Sequence, residues 1–584
     1  MSTKVMQIRA LLTQDDPARY VAECWDRFNM QRQGKVDEWL ELRNYIFATD
    51  TRNTSNAKLP WKNSTTTPKL CQIRDNLHSN YVSALFPNDN WLSWEAYTKE
   101  DAVHETAKII RGYIENKCRE SHFRTEMSKL LYDYIDYGNA FCTVSFEANY
   151  KTDEKTGLQI PQYIGPRVHR ISPMDIVFDP MAEDIQHTFK IVRSLKTLGE
   201  LQRLAMDEPE NAFWQKAIDQ RVELCTNLGG YSYEDFQKAC GLSIDGFGNM
   251  YDYLMGHYVE VLEFFGDYTD IEGNLETNRI ITVVDRRTTI RNEQIPNWFG
   301  SAPIQHVGWR FRPDNLWAMG PLDNLVGMQY RIDHLENAKA DAFDLTIQPP
   351  LVIQGDVEEF VWGPSAEIYA GEGGSVTEVS KSLNSVLTAD NQIQALEDKM
   401  ELYAGAPRDA MGIRTPGEKT AFEVQTLQTA AGRIFQEKIT QFEVEFLEPT
   451  LNCMLESAKR NLDGSDVIRV MDNDYNAQMF IQITREDITA NGVLRPVGAR
   501  HFAKQQQDLQ NLVGVFSSPL GQMLAPHTSA LAISKFVNDV IGLNGYNIFS
   551  PNIAVEEQHE TQALVGQSQE DLQVQQSVPM PPGT

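Results

Sequence analysis

The sequence predicts an α+β fold, with helices and strands concentrated in separate stretches, and three observations lead there. Apolar residues recur at helical spacing over long segments such as residues 17–50 and 69–85. Period-two alternation marks half-buried strands, as in residues 140–147, where Phe141, Thr143 and Ser145 interleave with Cys142, Val144 and Phe146. Two further helical patterns bracket about forty residues of Gly-rich, β-like chain. With 584 residues, 41% hydrophobic and 10% aromatic, the chain is too long for one ordinary domain and can build substantial cores.

In chain order, the first helix carries Tyr20, Cys24, Phe28, Val36, Trp39, Leu40, Leu42, Tyr45 and Ile46, and a polar loop, TRNTSNAKLPWKNSTTTP, follows it. Helical patterns return at 69–85 and 101–138. Strands are expected at 140–147, 163–168 and 175–178 and, after a mixed Gly-rich stretch, at 257–265 and 279–285. From Trp309 irregular chain leads into a helix beginning near Pro321, whose fixed φ suits a first helical turn. Leu325, Met328, Ile332, Leu335 and Ala342 line one narrow face, while Arg331, Asp333, Glu336, Lys339 and Asp341 spread over the others, the pattern of a helix packed beside neighbours.

Gln348-Pro349-Pro350 ends that helix. Residues 351–353 and 367–369 are then expected to pair, with Gly371, Gly373 and Gly374 supplying the turns. A second helix starts at Ala389 with Asp390 as N-cap and Ile393, Leu396, Met400 and Tyr403 on one face, and Gly405 and Pro407 break it. The third helix, from Thr420, carries Val424, Leu427, Ala431, Ile434, Phe435, Ile439, Phe442 and Phe446; Leu451, Met454 and Leu455 resume the stripe after Pro449. Strands at 467–471 and 480–483, a tight turn at Asn491-Gly492, and helices at 499–513 and 529–541 complete the pattern. The tail from Glu556 holds seven Gln and neither Lys nor Arg, a disordered composition.

The formal net charge of −28 argues against broad attraction to nucleic acid, since phosphate binding depends on Lys and Arg, so any DNA contact is expected to be local or weak. Cys24, Cys71, Cys118, Cys142, Cys225, Cys240 and Cys453 form no C-x-x-C pair and read as buried thiols made in a reducing compartment. The N-terminal residues lack the apolar core of a signal peptide, and no window approaches the roughly 18 apolar residues of a membrane span.

No catalytic constellation is present: there is no H-E-x-x-H, no G-x-S-x-G and no G-x-G-x-x-G after a strand, so neither enzymatic chemistry nor a cofactor is expected. Asp179, Glu183 and Asp184 are acidic enough for a divalent cation but read more simply as a polar loop after Pro180. The segment GIRTPGEKT, from Gly412, nearly spells a phosphate-binding loop. Glu418 stands between Gly417 and Lys419, which moves the lysine out of register and sets a carboxylate where phosphate would lie.

Four segments in order carry a resemblance: GPRVHRISPMDIVFDPMAED from Gly165, WRFRPDNLWAMGPLDNLVGMQYRIDHLENAKAD from Trp309, GEKTAFEV from Gly417, and ITREDITANGVLRPVGARHFA from Ile483. Together they resemble the portal (head-to-tail connector) proteins of tailed bacteriophages, most of all those of short-tailed phages (podoviruses), over about residues 20–550. The resemblance implies a portal fold: wing 1–318, stem helix 319–346, clip 347–387, second stem helix 388–407, tunnel loop 408–419, wing again 420–496, crown 497–555, and the Gln-rich tail 556–584.

It also implies a homo-oligomeric ring, normally a dodecamer, at one capsid vertex, which lies in the virion and assembles in the host cytoplasm. The implied partners are the terminase large subunit, tail adaptor proteins, the major capsid protein and scaffold, and double-stranded DNA passing weakly; no membrane is involved. Stem packing would fall to Leu325, Met328, Ile332, Leu335, Ile393, Leu396 and Met400, clip docking to Glu358, Phe360, Trp362 and Tyr369, and the channel cations to Arg408, Arg414 and Lys419. Twelve copies at −28 each would make a wall that repels the phosphate backbone and favours sliding. The alternatives are a packaging NTPase, and a tail adaptor or internal virion protein.

Overall fold

Helices and strands occur in blocks in the computed structural model, which is mixed α+β. It describes residues 16–59, 61–86, 91–97, 104–152, 159–207, 213–226, 258–269, 273–295, 302–347, 349–355, 357–358, 369, 371–378, 384–404, 433–462, 465–472 and 477–496. The expected helices at 499–513 and 529–541 and the tail lie outside these residues.

Helix α1 (Pro17–Ile46) starts where Asp16 accepts a hydrogen bond from Ala18 N at 3.0 Å, with Pro17 in the first turn. It is followed by α2 (Lys69–Leu85) and strand β1 (Leu92–Ala96). The single helix expected over 101–138 is two, α3 (His104–Glu120) and α4 (Phe123–Asp136), because His122 between them takes a left-handed φ of 56°. Strands β2 (Asn139–Thr152) and β3 (Gln159–Ile171) then pair from Phe141↔Ile171 to Thr152↔Gln159, a longer hairpin than the alternation indicated.

Next, β4 (Ile176–Phe178), β5 (Lys190–Thr197), β6 (Tyr258–Thr269), β7 (Leu275–Val284) and β8 (Thr288–Gln294) form one antiparallel sheet in chain order, with α5 (Leu198–Asp207) and α6 (Phe213–Thr226) between β5 and β6. β5 and β8 were not expected from the sequence: β8 reads TTIRNEQ and buries only Ile290, so it carries no apolar alternation. The N-terminal half of α1 packs Val21, Cys24 and Trp25 on one face of this sheet, against Leu262 and Phe264. α5 and α6 cover the other face through Leu201 and Ala217 against Val259 and Val261.

The chain before the arm described below is also β rather than irregular. β9 (Ile304–Gly308) pairs with β2, and β10 (Arg310–Arg312) turns into β11 (Asn315–Met319). Then come α7 (Val326–Ile347), β12 (Leu351–Gln354), β13 (Ser375–Glu378), α8 (Asn384–Tyr403), α9 (Arg433–Phe442) and α10 (Glu448–Asn461). A π-helical turn, Glu443–Leu447, joins α9 to α10, so Pro449 does not end the helix; the wider turn before it relieves the ring of its clash with the preceding carbonyls. Ile439, Phe442, Phe446, Leu451, Met454 and Leu455 are buried as the stripe predicted, but Ile434 is exposed, and Val424, Leu427 and Ala431 lie outside the described residues.

β14 (Ser465–Asp472) and β15 (Ala477–Thr484) form a hairpin, and β16 (Gly492–Pro496) returns to pair with β1. Asn491-Gly492 therefore opens a strand instead of making a tight turn. A Cβ at Gly492 would lie 2.4 Å from the carbonyl oxygen of Glu95.

The largest core joins α2, α3, α4, α9 and α10 through residues such as Leu77, Tyr113, Tyr134, Phe442 and Met454. Arg32 in α1 is buried and donates to the carbonyls of Pro173 and Ile176, each at 2.6 Å, and to that of Met174, which fixes the ISPMDI turn against the helix. Cys24, Cys118, Cys142 and Cys453 are buried free thiols, while Cys71 is only half-buried on the flank of α2. No described helix is long and apolar enough to cross a membrane.

Candidate functional site: a helix–hairpin–helix arm

α7, the β12–β13 hairpin and α8 form an arm whose base is held in the main core and whose far end is exposed. α7 starts later than Pro321 suggested, after a 3-10 turn at Asp323–Leu325, because Asp323 accepts from Gly320 N at 2.9 Å and tightens the entry. Leu325 and Ile332 are buried and Met328 and Leu335 pack partly buried against the same core, so the apolar stripe is covered within the chain. On that account Leu335 supports folding of the subunit itself.

Part of the buried surface of α7 is polar. Gln329, Asp333 and Asn337, at intervals of four, are all buried, including Asp333, which the sequence placed among the outward charges. The loop from Asn63 to Thr67 is strapped along them. Asp333 accepts from Thr67 N at 3.0 Å, Thr66 Oγ1 at 2.9 Å and Gln329 Nε2 at 2.9 Å. Asn337 accepts from Thr65 N at 2.9 Å and donates to Thr65 O at 2.8 Å, and Asp341 accepts from Asn63 N at 3.0 Å. Burial pushes the Asp333 carboxyl above the usual carboxylate range, against the pull of these hydrogen bonds. A polar residue every four positions beside an NSTTTP loop was the available signal.

α8 begins at Asn384, five residues before the expected start, and Asp390 is no cap: it pairs with Lys339 of α7 at 2.9 Å. Ile393 and Met400 are buried and Leu396 is half-buried as predicted, but Tyr403 is 57% exposed. At the base, Lys69 of α2 meets Glu401 at 2.5 Å with both side chains buried, which ties α8 to the body.

The hairpin pairs β12 with β13 in the register Leu351↔Glu378 to Gln354↔Ser375; of the partner expected at 367–369, residues 367 and 368 lie outside the described residues. Gly355 (φ 79°) and Gly373 (φ 87°) hold the left-handed conformations at its end. A run of apolar side chains lies uncovered here: Phe343, Leu345, Ile347 at 75%, Val352, Ile353 at 53% and Tyr369 at 61% exposed. Glu358 is exposed and its N–H donates to Tyr369 O at 3.1 Å, so two of the four expected docking residues are brought together. Phe360 and Trp362 lie outside the described residues, as do Arg408, Arg414 and Lys419 and the whole near-phosphate-loop.

Elsewhere, Asp179 accepts from Met181 N at 3.0 Å and closes its own turn. Among the described residues no three His, Cys, Asp or Glu side chains converge to hold a metal. The chain matches no protein-family model and no curated protein.

Proposed function

We propose that this chain is a phage portal subunit, copies of which close into a ring that passes double-stranded DNA at a capsid vertex, with the arm as stem and clip. The observation that carries this reading is the arm: two helices joined by a short hairpin, rooted in the body through Lys69–Glu401 and ending in uncovered apolar side chains. It falls at the point in the chain where the resemblance implies a stem and clip. A single chain gains nothing from exposing Ile347, Ile353 and Tyr369 together, whereas a neighbour offering a different surface covers them, and such a heterologous contact closes by rotation. The acidic balance of −28 suits a conduit that must release every sequence it passes.

In this reading the hairpin is the docking surface for the packaging motor during filling and for tail proteins afterwards, and the cations at Arg408, Arg414 and Lys419 make brief phosphate contacts. Light scattering and negative-stain imaging of the purified chain test it. Rings with a central hole are expected; a stable 66.4 kDa monomer at every concentration would exclude it. Glu358→Lys, at an exposed position outside the apolar run, should leave rings intact and impair packaging of DNA.

A further inference from the structure

A groove of about 520 Å³ between α2 and α4, away from the arm, has a chemistry of its own. Ser79 and Ser83, one turn apart on α2, and Thr125 and Ser128 on α4 line it with hydroxyls, together with His78 and Arg124. The imidazole is fixed: His78 Nε2 lies 2.9 Å from Ser128 Oγ, and its ring stacks on Tyr132 with centroids 3.7 Å apart. Tyr132 is in turn covered by the Arg74 guanidinium at 4.1 Å, which binds Asp136 through two contacts of 2.6 and 2.7 Å. The groove is therefore preorganised by a network that reaches its wall through His78 and Ser128.

Arg124 is the exception in this neighbourhood. Its guanidinium lies over the Phe86 ring at 5.9 Å, and among the described residues it makes no hydrogen bond or ion pair. Glu126, two residues along the same helix, is engaged with Lys129 at 2.6 Å, and Asp136 and Asp75 pair with Arg74 at the other end of the helix pair. Arginine offers only donors, and each hydroxyl can rotate to donate. A planar carboxylate would be satisfied by the guanidinium alone, whereas donors on both walls suit a tetrahedral anion with three or more oxygens.

We propose that this groove binds a phosphate oxyanion, Arg124 supplying the charge and Ser79, Ser83, Thr125 and Ser128 the neutral donors. The phosphate is either free or the diester of a nucleic-acid backbone, and the groove would bind it in a single chain as in a ring.

The test titrates the full-length protein with inorganic phosphate by calorimetry and with a short DNA duplex of arbitrary sequence by fluorescence anisotropy at several salt concentrations. Arg124→Gln is expected to weaken binding about tenfold or more, the scale of one charge-assisted contact. Lys129→Gln, an exposed and ion-paired change on the same helix, is expected to leave it within about twofold. The double variant Ser79→Ala with Ser83→Ala should reproduce the loss without removing a charge. A loss seen with inorganic phosphate assigns a free anion. A loss confined to the duplex, with the salt slope reduced by about one, assigns a backbone phosphate. Failure of both probes to bind, wild-type affinity in Arg124→Gln and in the serine variant, or equal loss in Lys129→Gln would overturn the proposal.

Discussion

Two buried ionisable side chains differ in how well their surroundings meet them, and their substitutions should differ accordingly. Asp333 has a backbone, a hydroxyl and an amide donor within 3.0 Å, so Asp333→Ala strands Thr67 N, while the Gln329 amide keeps its bond to Thr67 O. A loss of about 1–3 kcal/mol in urea unfolding is expected, with the 63–67 loop becoming open to proteolysis. Lys190 is 2% exposed, yet its amine has one hydrogen bond, to Gln186 O at 3.3 Å, and burial pushes it from its ordinary 10.5 down to about 8. Between those values the unfolded chain holds a proton that the folded chain has lost, so stability should rise with pH across that window, by about 3 kcal/mol in full. Lys190→Met should lack this rise and be at least as stable at pH 7; parallel denaturant midpoints that differ by a constant from pH 7 to 10.5 would contradict it. Lys190 was not legible beforehand, and Asp333 only through the polar residues four positions to either side of it. Asp333 is a charge on an amphipathic helix and Lys190 opens a strand, and their burial follows from a loop and a sheet that arrive from elsewhere in the chain.

At the level of elements, what could be read was what local spacing dictates. α2 starts and ends at the residues expected, and α1 starts as expected but ends at Ile46, before the end of the 17–50 pattern. β5 and β8 are strands because neighbours pair with them, which no local pattern announces. The arm was half legible: its helices and the β character between them followed from Pro and Gly positions, but the start of α8 was misplaced because Asp390, a good cap by type, is engaged by Lys339. The corner between α4 and β2 shows a constraint that only packing reveals. Gly138 has φ 68°, and a Cβ there would lie 2.4 Å from Gly320 N, where the chain enters the arm. Gly138→Ala should cost about 2–5 kcal/mol, combining the left-handed penalty with overpacking against backbone that cannot yield. Thermal unfolding of this variant within a degree of the parent would show that the two segments separate easily.

For the whole molecule, the proposed ring sets two forces against each other. Every subunit carries a formal −28, so copies repel at long range, whereas the uncovered side chains at the end of the arm associate through burial of apolar area, which salt does not screen. Raising salt from about 0.01 M to about 1 M shortens the screening length from about 30 Å to about 3 Å, so the fraction assembled at fixed protein concentration should increase. Ile347→Asp combined with Ile353→Asp should prevent assembly at both salt concentrations while leaving the subunit folded, because both side chains are more than half exposed in the single chain and contribute little to its core. Sedimentation velocity across the salt series, on parent and double variant, distinguishes the possibilities. Rings that dissociate as salt rises would mean that ion pairs hold the contact, and rings that persist in the double variant would mean that the arm is not the surface through which copies meet.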